Sequence, residues 1–190
     1  MARPVPYTAE VRVPLPDDAA LRRALGDDVD TDSTLNVVRM FAGTEELFGA
    51  LIGMVRAVFG TPDIDAPRRE AIILRAAAVW NVPYEWQANE QMARNAGLTD
   101  ADIDALAADG PVTGIDPEYV LLATATEEML TSGTLSDTTL RSLLDTFGTV
   151  VTRKYIATIA WFSLLSLFLN ATRVPLETTD KIGWRTSPLD

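Results

Sequence analysis

Apolar positions recur at helical spacing through most of this chain. In the run EELFGALIGMVRAVF, Leu47, Phe48, Leu51, Ile52 and Val55 follow the i, i+3, i+4 rule, which predicts a helix capped by Thr44 and ended by Gly60. Before it, Ser33 or Asp32 can cap a helix through LNVVRMFA. After it, Asp65 can cap a helix with Pro67 in its first turn. That helix, AIILRAAAVW, is apolar on nearly every face apart from Arg75, as a central buried helix is. Asn81-Val82-Pro83 breaks it. A new helix runs from Tyr84 to Asn95 and stops at Gly97.

Thr99 caps the short run DADIDALA, Pro117 to Leu130 forms another helix, and Ser136 caps DTTLRSLLDTF up to Gly148. Thr149 to Ala171 is the last and most apolar helix. Its core, Ile156 to Leu169, falls short of the roughly 20 residues that span a bilayer, and serines interrupt it, so a buried core or interface helix is expected. Only Ala9 to Val13 hints at strand alternation. The pattern predicts an all-α protein. Residues 1–33 differ: RPVPYTAEVRVPLP carries four prolines and predicts an extended arm wrapping a surface, followed by a short helix at Asp17 to Leu25. The acidic run GDDVDTDST lacks the ligand order of a calcium loop and reads as a solvated loop. The end of the chain, RVPLETTDKIGWRTSPLD with 179–190 as its C-terminal tail, reads as polar and turn-rich, either packed on a neighbouring surface or frayed.

Composition narrows the chemistry. The 190 residues, 47% of them hydrophobic, suit one globular domain. A net charge of −11 argues against nucleic acid and anionic membranes as partners. No signal-peptide pattern opens the sequence, and a cytoplasmic protein is expected. There is no Cys, which excludes thiol catalysis and thiolate metal sites, and no His, which removes the usual proton shuttle. No metal or cofactor site is expected. Acid–base work falls to Glu, Asp, Tyr, Lys or water.

Candidates cluster at the helix break. On the Tyr84–Asn95 helix, Glu85, Ala88, Asn89, Met92 and Ala96 share one small, mostly apolar face, so Glu85 and Asn89 point into a cavity or an interface. A carboxyl held there gains a raised pKa and trades protons near neutrality, unless it is paired with Arg75 or another partner. Glu70, on the face with Ile73, Leu74 and Ala77, either supports Glu85 or simply favours its helix N-terminus. Arg75 needs an anion: Glu70, Glu85 or a substrate carboxylate. Trp80, Tyr84 and Trp86 flank the break and either line a pocket or fill the core; Tyr155 is a further candidate of that kind.

The segment REAIILRAAAVWNVPYEWQANEQMARNAGLTDADIDAL resembles the carboxymuconolactone decarboxylase family, which includes the alkylhydroperoxidase-D-like proteins. The likeness extends over roughly 34–178 through LNVVRMFAGTEELFGALIG and LLSLFLNATRVPLE, and YEW followed by AGLTDADIDAL is its most specific part. The resemblance implies a single-domain helical bundle of the alkylhydroperoxidase-D-like type and a homo-oligomer, trimer or hexamer, with pockets near subunit contacts. Glu70 stands where the peroxidase branch has its Glu. Val82 and Glu85 stand where it has its two cysteines, and Asn89 where it has a His. Thiol peroxidation is therefore not available to this chain.

These residues lead to an expectation of a cofactor-independent lyase, decarboxylase, cyclase or isomerase acting on a small cyclic or aromatic organic acid or ketone, in specialised metabolism. Glu85 would be general acid/base and Glu70 its auxiliary. Arg75, Tyr84, Trp86, Asn89, Trp80 and Tyr155 would bind the substrate. The alternative is a binding or scaffold protein on the same fold.

Overall fold

The computed structural model describes residues 3–190, the side chains of residues 179 and 180 excepted; residues 1 and 2 of the expected arm lie outside the described residues. Nine α-helices follow one another among them: α1 (Asp18–Leu25), α2 (Asn36–Ala42), α3 (Phe48–Gly60), α4 (Ala66–Trp80), α5 (Pro83–Ala96), α6 (Asp100–Leu106), α7 (Pro117–Ser132), α8 (Asp137–Thr172) and α9 (Thr179–Ile182). No strand occurs among the described residues, so the fold is all-helical and Ala9 to Val13 is not a strand.

The bundle is built around α4. Asp65 caps it by accepting from the Arg68 amide at 3.0 Å, and Asn81, at φ 50°, ends it in the left-handed conformation. Every residue from Arg69 to Ala78 is buried. Ile72, Ile73 and Leu74 supply bulk, while Ala76 to Ala78 let neighbours approach closely, and α5, α6, α7 and α8 pack around this one helix. α5 starts at Pro83, where a missing N–H costs nothing, and stops at Gly97, whose φ of 105° few side chains tolerate.

α8 runs from Asp137 to Thr172 but is broken at Gly148 (φ 71°, ψ 169°), so it is two helices that meet at a kink, with the break where the sequence predicts it. The Thr152 hydroxyl spans the break, donating to the Leu143 carbonyl at 2.9 Å. Although the helix is long and apolar enough to cross a membrane by length and composition, its inner face is packed on α4, α5 and α7 as a core helix would be.

Two caps differ from expectation. Neither Ser33 nor Asp32 caps α2: its N-cap is Leu35, and the free amides are met from far along the chain. Asn36 donates to the Glu177 carboxylate, and Val37 donates to the Tyr84 hydroxyl at 3.0 Å. Nor does Thr44 cap the next helix; its hydroxyl donates back to the Phe41 carbonyl at 2.7 Å, and a 3-10 turn (Glu45–Leu47) precedes α3. The N-terminal arm lies across helix ends. Val5 donates to the Asn81 side chain at 3.2 Å, Tyr7 to that of Asn170 at 2.7 Å, and Val13 to the Thr172 carbonyl at 3.0 Å.

Candidate functional site

α2, α3, α5 and the second half of α8 enclose one apolar cavity. Helical spacing sets each wall. α3 brings Val55 and Phe59, α5 brings Glu85, Ala88, Asn89 and Met92, and α8 brings Trp161, Phe162, Leu165 and Leu169. Val38 and Phe41 close the α2 side, and Pro188 closes the remaining gap. The α5 wall is the small apolar face read from the sequence, without Ala96. In this conformation the free space is about 30 Å³, room for about one water.

Glu85 is the one carboxyl on that wall, and it is 1% exposed. One oxygen, Oε2, accepts from the Ser166 hydroxyl; the other, Oε1, has no hydrogen-bond partner among the described residues. Burial pushes its pKa up to about 8, against the Ser166 bond, which favours the ionised form. The Asn89 amide nitrogen is committed to its own helix, donating to the Glu85 backbone carbonyl at 2.8 Å. The Tyr84 ring forms part of the wall, but its hydroxyl donates to Glu177 and accepts from Val37, so it ties α5 to α2 and to the segment after α8.

Glu70 lies behind the cavity on α4. It is fully buried, and among the described residues neither carboxyl oxygen has a hydrogen-bond partner. Burial raises its pKa to about 8; Arg69 pulls it down, and Glu85 is near enough for its charge to push it up again. The Arg69 Nε is 3.8 Å from Glu70 Oε1, too far for a hydrogen bond, so the contact is a weak one to a carboxyl that is mostly neutral at pH 7. The Arg69 guanidinium instead sits 4.3 Å above the Phe59 ring, on the far side of that wall, and donates to the Thr186 carbonyl at 3.3 Å. Glu85, on the cavity wall and with a pKa of about 8, can exchange a proton with a guest, and its charge is felt by Glu70 behind the wall.

Four expected binding residues are not on the cavity wall. Arg75 meets neither glutamate. Its guanidinium donates to the carbonyls of Leu106 (3.1 Å), Ala108 (2.9 Å) and Gly110 (2.9 Å) and pairs with Glu127, which locks the α6–α7 connection onto α4. Trp80 is half-buried at the end of α4, where its carbonyl accepts from the Asn170 amide at 3.1 Å. Trp86 is buried away from the cavity. Tyr155 packs on Phe147, ring centroids 4.7 Å apart, and burial raises its pKa. Conversely, Ser166, Phe59, Glu177 and Pro188 contribute without having been singled out, and Arg69, expected on the surface or at an interface, is buried. Ser166 carried a signal, as a polar residue at a buried position in the apolar run LLSLFL; Glu177 and Pro188, outside any periodic segment, carried none.

Among the described residues no group of three or more Asp and Glu is placed to hold a metal ion. No curated protein and no solved structure matches the chain. The carboxymuconolactone decarboxylase family model matches residues 45–128, a segment that runs from the turn before α3 into α7 and includes Glu70 and Glu85.

Proposed function

We propose that this chain is a cofactor-independent enzyme of the isomerase, cyclase or lyase type, with Glu85 as general acid/base on a small, mainly apolar cyclic or aromatic compound. One observation carries the reading: a buried carboxyl with one unpartnered oxygen on the wall of an otherwise apolar cavity. Burying a polar oxygen without a partner is costly, and a ligand hydrogen bond removes that cost. With its pKa near 8, Glu85 is mostly protonated at pH 7 yet able to accept a proton. In an isomerisation it would take a proton from one carbon and return it to another. In a decarboxylation the bond to the carboxylate breaks, CO2 leaves, and the proton from Glu85 goes to the carbon left behind. Among the described residues no Arg or Lys lines the cavity, which favours a ketone over a free organic acid at this wall.

The test is mass spectrometry of metabolite extract from cells lacking the protein, with purified protein added. A compound that loses CO2 or water supports a lyase, and a new product of unchanged mass supports an isomerase or cyclase. Glu85→Gln should lower turnover by about 10²–10⁴-fold while melting as a folded protein. Full activity in that variant would remove Glu85 from the mechanism.

The second reading, a non-catalytic binding or scaffold protein, draws on the tightness of the cavity: Met92, Trp161 and Phe162 leave about 30 Å³. A homo-oligomer, trimer or hexamer, is also part of this proposal. The exposed face of α8 supports it, since Ala157, Ala160, Leu164 and Leu167 follow one another at helical spacing there. Light scattering on the purified chain checks it, and a monomeric mass would count against it.

A further inference from the structure

A second, open cleft of about 360 Å³ lies against the cavity, between the α1–α2 loop, α3 and the segment after α9. Val38 and Pro188 belong to both walls, so they are the partition between the two spaces. The inner cavity alone is too small for an organic ligand. Joined to the outer cleft, it reaches the roughly 300–1,000 Å³ of a ligand pocket. Pro188 is the half of the partition that lies outside the helices. Among the described residues, the hydrogen bonds of 187–190 stay within the turn from Thr186 to Asp190: Asp190 accepts from the amides of Thr186 (2.8 Å) and Ser187 (2.9 Å), and Leu189 donates to the Ser187 hydroxyl (3.1 Å). Beyond residue 186 the turn is held to the helices by packing, including that of Leu189 against the core, and by no hydrogen bond among the described residues.

The outer cleft holds two cations and two carboxylates, and three of the four are spent on their own surroundings. Asp30 accepts from the amides of Asp32 and Ser33, Asp190 holds the turn just described, and Arg185 donates to the Ser33 carbonyl at 3.0 Å. Arg56 makes no hydrogen bond or ion pair among the described residues. It follows Val55 on α3, so neighbouring residues of one helix face the inner cavity and the outer cleft.

We propose that the two spaces form one site for an amphiphilic ligand, with an apolar ring system in the cavity and an anionic group held outside by Arg56, admitted when Pro188 moves. This rests on the cavity being a ligand site, as in the reading above, and adds the substrate class: an apolar ring compound carrying an anionic group on one side. Arg56 thus supplies the anion contact for which Arg75 is not available. The unpartnered Glu85 oxygen meets the opposite, uncharged end.

Two fluorescent probes of nearly the same shape test this on the full chain: anilinonaphthalene sulfonate, which is anionic, and phenylnaphthylamine, which is not. Both should bind. Arg56→Gln should weaken the sulfonate by about fivefold, the effect of one partly exposed charge pair, and leave the neutral probe unchanged. Ala88→Leu, which fills the inner wall, should weaken both, with circular dichroism checking that each variant is folded. Pro188→Gly should speed association of both probes. If Arg56→Gln binds the sulfonate like wild type, or Pro188→Gly leaves association rates unchanged, the two-space site is overturned. In that case the cavity reading still stands, provided that Ala88→Leu blocks the neutral probe. If neither probe binds, both this proposal and the cavity as a ligand site fall.

Discussion

Arg75 and Glu70 stand five residues apart on α4, about 140° around the helix, and both are fully buried. Arg75 faces the α6–α7 side and has three carbonyls and a carboxylate for its guanidinium, with only Nε unpaired. Among the described residues Glu70, on the other side, has no side-chain hydrogen bond, and Glu85, beyond it, has one. A buried charge that is fully paired holds structure. Buried carboxyls left short of partners either give up their charge or wait for a guest. The same helix thus separates a locked half from a poised half, and variants on the two sides should behave in opposite ways.

The largest effect is expected on the locked side. Arg75→Ala would leave Glu127 and three carbonyls of the α6–α7 connection without their donor, which should cost about 3–5 kcal/mol. A urea or thermal melt would show it as an early, cooperative loss of structure. The surviving folded fraction should bind cavity probes as wild type does. A variant that melts normally but loses probe binding would move Arg75 back to the site.

On the poised side the effect is pH-dependent and somewhat smaller. Glu70 has a folded pKa of about 8 against an ordinary 4.5, so the native state holds a proton that the unfolded chain releases. The stability it contributes is full below pH 4.5, declines as pH rises toward about 8, and is flat above that. Glu85 adds a slope of the same sign over the same window. Glu70→Gln, neutral throughout, should remove its share, roughly a few kcal/mol across the window, and so be relatively most favourable in alkali. Urea midpoints from pH 4 to pH 9 check this. Equal slopes in wild type and Glu70→Gln would mean that the carboxyl is hydrated and ordinary.

Much of this division was legible in the sequence. The unbroken apolar faces of AIILRAAAVW announced the central helix, Asn81-Val82-Pro83 its end, and Gly97 and Gly148 the next two breaks. Spacing placed Glu85, Ala88, Asn89 and Met92 on one face, and that face lines the cavity. What spacing does not give is the identity of a partner from elsewhere in the chain. Arg75 demanded an anion, but nothing local distinguished Glu127 from Glu70 or Glu85, because the choice depends on how α7 packs on α4. The α2 cap failed for the same reason: Glu177 is 141 residues from Asn36 and reaches it only in the folded bundle. Aromatic residues were equally ambiguous, since core and pocket walls demand the same side chains. Trp161 and Phe162 line the cavity, whereas Trp86 and Tyr155 do not.

Ser166 gives the finest probe of the contrast, because it is the single partner that keeps Glu85 from being as bare as Glu70. Its hydroxyl stabilises the carboxylate and so holds the Glu85 pKa below where burial alone would put it. Ser166→Ala should therefore raise that pKa further. The stability slope should extend to higher pH, and any acid-dependent turnover should persist further into alkali before it falls. Serine and alanine differ little in volume, so packing on α8 should change by no more than about 1 kcal/mol. Carbon NMR of isotope-labelled glutamate, followed through the titration, reads the shift directly. The Glu85 carboxyl should titrate later in Ser166→Ala, with Glu70 shifting slightly the other way, because a Glu85 that stays neutral longer repels the Glu70 charge less. A downward shift in Glu85 would mean that water or another donor replaces the hydroxyl, and that the cavity is wetter than its apolar walls imply.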